Sequence, residues 1–316
     1  MSIRKKVILD TDIGNDIDDI WALGLLLTLE EIDILMISTC FQETDYRAKI
    51  VAKMLQILGR TDIPVAIGYN NGKKSEPSQQ RWVEDFNFEQ YPGQIYYDGI
   101  QAVIDTIRSS DCEVTLLCIG AATNLAMILE SYPEVVQKSK IIGMYGSIYK
   151  GYIGLAGPCS EANVYVDQPS FNKIMKSDWP ITLVPLDACR SFLLDGNNYA
   201  QLKAADNKLT KLIMENYSIW QEDYHGGAIK YDIQVSTSIL FDVPPVLYLH
   251  KPSWFKTEEI CLSVTPDSMT VPSSEGKKVN ALVAIQEDGE LEAFVTRQLT
   301  TYAEAAHKGA GGESHA

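Results

Sequence analysis

Residues 7–19 read Val7-Ile8-Leu9-Asp10-Thr11-Asp12-Ile13-Gly14-Asn15-Asp16-Ile17-Asp18-Asp19, an apolar run followed by five aspartates within ten positions. Carboxylates crowded this closely repel one another unless a cation or protons sit among them. The run at 6–9 is short, apolar and partly β-branched, as expected of a buried strand. Residues 17–30 have helical period, with Ile20, Leu23 and Leu27 on one face and carboxylates in the first turn. The aspartates therefore fill a strand-to-helix turn, and Gly14 lets that turn fold tightly.

The pattern repeats outward from there. An apolar strand is expected at 32–40, a helix at 46–58 (Ala48, Val51, Ala52, Leu55) ending at Gly59, and a strand at 64–67. This β-α-β-α-β alternation predicts an α/β fold with an open, doubly wound, mostly parallel sheet flanked by helices. Such sheets bind ligands outside the carboxyl ends of their strands. The aspartate turn lies at one such end, and Phe41-Gln42-Glu43 at another. Further on, a helix is expected at 99–109 and a strand at 114–119. Gly120-Ala121-Ala122-Thr123-Asn124 then turns into a helix at 125–130. Strands at 140–144 and 181–186 flank an irregular Gly-rich stretch at 146–160, and 199–223 is mostly helical.

Antiparallel strands are expected at 260–264 and 279–299, with a hairpin turn at Glu287-Asp288-Gly289-Glu290. The long polar stretch 69–97, with Trp82, Phe86 and Phe88 inside it, reads as a lid over a site. Residues 1–305 read as one domain, and the small, polar tail 306–316 as disordered.

Composition narrows the partners. The 316-residue chain has a formal net charge of -15, which opposes binding to nucleic acid or anionic membranes. No signal-peptide core follows the basic start, and the longest apolar run, 20–29, is too short to span a bilayer. Six scattered cysteines without a C-x-x-C pair point to reduced thiols and a cytoplasmic protein, and give no cysteine metal site.

Oxygen-rich and free of His and Cys, the aspartate cluster suits a hard cation, Ca²⁺ or Mg²⁺. Helix capping accounts for only one or two of the five carboxylates. A calcium loop of the EF-hand type needs Gly at its sixth position and Glu at its twelfth, where this chain has Asn15 and Trp21. Asp10-Thr11-Asp12 also opens like a Mg²⁺-dependent phosphohydrolase of the haloacid-dehalogenase type, but Gly14 and the missing later acidic motif depart from it.

Asp10-Thr11-Asp12-Ile13-Gly14 followed by Asp18-Asp19 and an apolar helix resembles the signature of the inosine–uridine preferring nucleoside hydrolases. Four later segments match in the same order: 116–124 ending in Thr123-Asn124, Ser160-Glu161-Ala162-Asn163 with Asp167 following, 183–187, and Leu240-Phe241-Asp242-Val243-Pro244. The resemblance implies Ca²⁺-dependent hydrolysis of a small nucleoside-like substrate to ribose and base, by a homodimer or homotetramer. It implies that Asp12 is both metal ligand and activator of water, that Asp19, Asp242 and the Ile119 carbonyl complete the metal set, and that Asp10 supports Asp12. Asp18, Glu161 and Asn163 would hold ribose hydroxyls.

This chain departs from the pattern at Gln42-Glu43, where Glu43 is left as a hydroxyl acceptor, at Leu155 in place of a ribose-binding Asn, and at Phe241 in place of a His. His225 is the alternative proton donor to the leaving base. Trp82 and Trp220 are candidate base-stacking rings. A ribosyl-ligand binder that has lost turnover is the non-enzymatic reading of the same departures.

Overall fold

The computed structural model describes residues 4–74, 77–224, 232–286 and 290–303. In chain order the elements are β1 (Lys5–Thr11), α1 (Asp18–Leu26), β2 (Ile32–Thr39), α2 (Thr44–Ile57), β3 (Val65–Ile67), α3 (Gln80–Val83), β4 (Ile95–Tyr96), α4 (Gly99–Ser109), β5 (Val114–Cys118), α5 (Thr123–Ser131) and β6 (Ser139–Gly143). They continue with α6 (Ala162–Val166), α7 (Gln168–Met175), β7 (Ile181–Leu183), α8 (Leu186–Cys189), α9 (Gly196–Ala204), α10 (Lys208–Asp223), α11 (Val243–His250), β8 (Phe255–Val264), β9 (Thr270–Pro272), β10 (Lys277–Ile285) and α12 (Glu290–Thr300).

All ten strands join one sheet in the order β4-β3-β2-β1-β5-β6-β7-β10-β8-β9. Pairing is parallel from β4 through β7 to β10, and antiparallel among β10, β8 and β9. The α/β fold expected from the sequence is therefore present, including its small antiparallel end. The chain winds outward from β1 to β4 and then returns to lay β5 against the other side of β1. That reversal puts a crevice at the carboxyl end of β1, where open α/β sheets bind ligands. Both faces of β1 are buried: Val7 and Leu9 pack into one hydrophobic core and Ile8 into the other, which is why the strand reads as a continuous apolar run.

Two expectations fail here. Residues 290–299 belong to helix α12, not to a strand. Leu291, Phe294, Val295 and Leu299 recur at helical spacing and are all buried. The expected turn and the expected disordered tail rest largely on residues 287–289 and 304–316, outside the described residues. The stretch 69–97 is also more ordered than a lid. It contributes α3 and the edge strand β4, and Trp82 is buried in the core with Lys53 Nζ 4.8 Å over its ring. Trp82 thus packs inward and does not offer a face to a base.

No described helix is long and apolar enough to cross a membrane. All six cysteines are unpaired.

Candidate active site

Asp10 is a buried residue near the end of β1, Asp12 lies just past that strand, and Asp18 and Asp19 open α1. The N-terminal end of a helix carries a partial positive charge that favours these carboxylates. Asp242 arrives from the far side of the sequence as the residue before α11. Oxygens of Asp18, Asp19 and Asp242 all lie within 4.8 Å of one another, and all three residues are buried. Thr11 Oγ1 donates to Asp19 Oδ1 and accepts from the Ile13 amide at 3.1 Å, which ties the strand end to the helix start.

Asp12 is half-buried at the edge of this group. Gly120, just past β5, lies so close that a Cβ there would sit 2.7 Å from Cys40 Sγ and 2.8 Å from the Asp12 amide nitrogen. The sequence needs glycine at 120 because the β5 loop must pass directly against Asp12.

Burial is the first cause that raises the affinity of Asp18, Asp19 and Asp242 for protons, and repulsion from the neighbouring aspartates adds to it. Asp12 is shifted upward by burial too, with the Arg47 charge opposing. Among the described residues these three converging buried carboxylates have no salt-bridge partner, and such a group is stable only as acids or around a cation. Every side-chain donor is a hard oxygen, so the group fits a Ca²⁺- or Mg²⁺-type ion.

Asp10 supports this arrangement from below. Its Oδ1 accepts from Asn124 Nδ2 at 2.8 Å, and the same amide reaches Ser38 Oγ and the Thr39 carbonyl, each at 3.1 Å. Asn124 Oδ1 accepts from the Tyr69 amide at 3.0 Å. One asparagine therefore locks β1 to β2 and to the chain leaving β3. Burial pushes the Asp10 carboxyl up to about 6. Neighbouring Thr123 donates to Asp167 Oδ2 at 2.5 Å, which accounts for the Thr-Asn pair in the motif.

The later segments converge on the same end of the sheet. Glu161 is buried, and its carboxylate accepts from the amides of Gly146 (3.0 Å), Asn163 (2.6 Å) and Val164 (3.2 Å). Burial nevertheless pushes it up to about 7. The Asn163 side-chain amide donates to the carbonyls of Ile119 (3.3 Å) and Met144 (3.1 Å), so it holds the Ile119 carbonyl in place. Asp187, past β7, accepts from the amides of Ile148, Tyr149 and Lys150 and fixes the Gly-rich loop.

Glu43 is half-buried and directly precedes α2, next to Phe41 and Gln42, which both adopt left-handed backbone (φ 63° and 58°). Leu155 is exposed, and Phe241 packs edge-on against Tyr152.

Trp220 requires correction as a base-stacking ring. Its two neighbours stack on it at 5.7 Å (Tyr217) and 4.8 Å (Tyr224), and its Nε1 donates to the Asn15 carbonyl at 3.1 Å. It braces the aspartate loop. His225 lies outside the described residues.

Arg47 was not foreseen. It is wholly buried, donating to the carbonyls of Phe41 (2.9 Å) and Ile13 (3.0 Å) and more loosely to Gln42 Oε1 (3.4 Å). The signal was its place four residues before Val51, on the apolar stripe of α2, where a charge demands a partner.

A groove of about 820 Å³ among Lys140, Trp179, Lys277 and Asn280 opens at the amino ends of β6 and β7, away from every residue above. Its lining mixes lysines with Asp178 and Glu275 and contains none of the residues of the aspartate cluster.

The family profile for "Inosine-uridine preferring nucleoside hydrolase" matches residues 7–296. A pyrimidine-specific ribonucleoside hydrolase from Citrobacter koseri is 28% identical, with 89% of this chain and 93% of that protein covered. A probable uridine nucleosidase from Arabidopsis thaliana is 25% identical over 84% of each chain. The solved structure of a plant nucleoside hydrolase superposes with a TM-score of 0.78, covering 94% of this chain and 99% of that one at 21% identity.

Proposed function

The chain belongs to the inosine-uridine preferring nucleoside hydrolase family and is a hydrolase acting on N-glycosyl compounds, and on that premise we propose that it is a Ca²⁺-dependent hydrolase that splits a ribonucleoside into ribose and free base. The observation that carries the reading is the convergence of Asp18, Asp19 and Asp242, buried and beside Asp12, at the carboxyl end of β1. The family match also sets aside the phosphohydrolase reading.

In this proposal Asp12, Asp19, Asp242 and the Ile119 carbonyl would hold the ion, and the Asn124 network would keep Asp10, two residues before Asp12, fixed at the strand end. When bound, the ion supplies positive charge that orients a water and two sugar hydroxyls and makes that water more acidic. Asp18, Glu161 and Asn163 hold the ribose, and Glu43 accepts from a further hydroxyl. As the bond between the anomeric carbon and the base nitrogen breaks, its electron pair leaves with the base. The anomeric carbon gains positive charge, which the surrounding carboxylates stabilise. Water oxygen bonds to that carbon while its proton passes to Asp12.

The base takes a proton from His225, two residues beyond α10. The products are ribose and neutral base.

Ribose release from a panel of purine and pyrimidine ribonucleosides, with Ca²⁺ and with excess chelator, tests the proposal. Release that requires Ca²⁺ supports it. Ligand binding without release would convert the reading to a ribosyl-ligand binder.

A further inference from the structure

The loop between Asp12 and Asp18 has few bonds of its own. Two local contacts shape it: the Ile13 amide to Thr11 Oγ1, and the Ile17 amide to Asp16 Oδ1 at 2.7 Å. Its four consecutive carbonyls, from Ile13 to Asp16, are instead capped by side chains from elsewhere. Arg47 Nη1 donates to Ile13 at 3.0 Å. The Tyr46 hydroxyl donates to Gly14 at 2.8 Å and itself accepts from the Gln79 amide at 3.0 Å. Ser78 Oγ reaches both the Gly14 and Asn15 carbonyls. Trp220 Nε1 donates to Asn15, and Gln79 Nε2 to Asp16 at 3.1 Å.

Ser78 and Gln79 are both buried, and the segment that carries them is tied down on two sides. Lys53 of α2 donates to the Trp82 carbonyl. Arg81 pairs with Glu222 and Asp223 at the end of α10, each at 2.7 Å. The acidic loop is thus clamped between α2, α3 and α10 by contacts that involve none of its carboxylates.

We propose that Ser78 and Gln79 are positioning residues for the metal and sugar site, acting through the carbonyls of residues 14–16. This rests on the metal-dependent reading given above. Mutual repulsion drives Asp12 and Asp18–Asp19 apart, and the only chain joining them is this loop. Holding its carbonyls outward fixes the spacing of those carboxylates and spares the ion the work of gathering them. Groups that orient ligands in this way govern affinity without touching the ion.

The test uses the full chain stripped of metal, with CaCl₂ as probe. Ca²⁺ affinity is measured by calorimetry beside circular dichroism, kcat and KM, for wild type, Gln79→Leu, Ser78→Ala and Ser78→Thr. Gln79→Leu keeps the bulk and removes the donor, and Ser78→Thr keeps the hydroxyl. The expected result is an unchanged fold, Ca²⁺ binding weakened about tenfold or more by Gln79→Leu and Ser78→Ala, and recovery in Ser78→Thr.

Ca²⁺ affinity within about twofold of wild type in both loss variants would overturn the proposal, since a bracing role alone lowers stability and leaves affinity in place. If Gln79→Leu fails to fold, the Ser78→Ala and Ser78→Thr pair decides. Should wild type bind Ca²⁺ yet release no ribose, the activity reading fails while the affinity comparison still decides the role of these residues. If wild type binds no Ca²⁺, both fall.

Discussion

Asp12 and its neighbours differ in what surrounds them, and so their substitution should differ in kind. Asp12 is half-buried, whereas Asp19 and Asp242 are buried in the cluster. Asp12→Asn removes the proposed base and should lower kcat by about 10²–10⁴-fold. Steady-state ribose release checks this, and a wild-type rate would remove Asp12 from that role. His225→Ala should lower kcat for substrates with poor leaving bases more than for activated aryl ribosides. Equal losses on both would show that His225 does not protonate the base.

Arg47 acts structurally at the same scale. Arg47→Met strands the Ile13 and Phe41 carbonyls and strips a charge from beside the carboxylates, and should cost about 3–5 kcal/mol in urea unfolding. A loss below 1 kcal/mol would show that water satisfies those carbonyls.

At the level of elements, the parts legible in the sequence were those with a repeating apolar signal. β1, α1, β2, α2 and α4 announce themselves because each buries a continuous run or a clean helical stripe. The aspartate turn was legible because repulsion among five carboxylates has few other uses. Stretch 69–97 reads as a lid from sequence because its polar composition hides anchors spaced far apart: Ser78, Gln79, Trp82 and Tyr91 are all buried, but no local period joins them. Ser78, Gln79 and Trp82 find partners in α2 and in the aspartate loop, and Arg81 ties the same segment to α10, which no local pattern reveals.

Trp82→Ala should accordingly destabilise the fold by about 3–5 kcal/mol, as expected for a core tryptophan and not for a lid. Unchanged stability in thermal melting would restore the lid reading. Helix α12 was missed for a different reason, since Phe294, Val295 and Thr296 raise the strand propensity of a segment that tertiary packing makes helical.

The whole molecule couples its stability to protons and to the ion. Burial pushes Glu161 up to about 7 and Asp16 up to about 6, well above ordinary carboxyl values. Each group binds its proton more tightly in the folded state. The associated stability is complete below the unfolded carboxyl range and is lost as pH rises through 6 and 7. The metal-free chain should therefore melt at a higher temperature at pH 5.5 than at pH 8. Added Ca²⁺ should raise the melting temperature more at pH 8, because burial and repulsion also raise the proton affinity of Asp19 and Asp242, and those protons compete with the ion. A metal-free melting temperature that climbs between pH 5.5 and 8 would contradict this picture.

Sheet winding ties these effects together. β1 sits at the reversal of strand order, so its end collects side chains from the loops that follow it and β5, and from the start of α11. The measurement that bears most directly on the proposed chemistry is ribose release from inosine and uridine at controlled free Ca²⁺, by wild type and Asp242→Asn. Wild-type activity should vanish with chelator and return with Ca²⁺, and Asp242→Asn should need at least about tenfold more Ca²⁺. Ribose release that ignores both the chelator and the substitution would contradict a metal-dependent hydrolase built on this cluster.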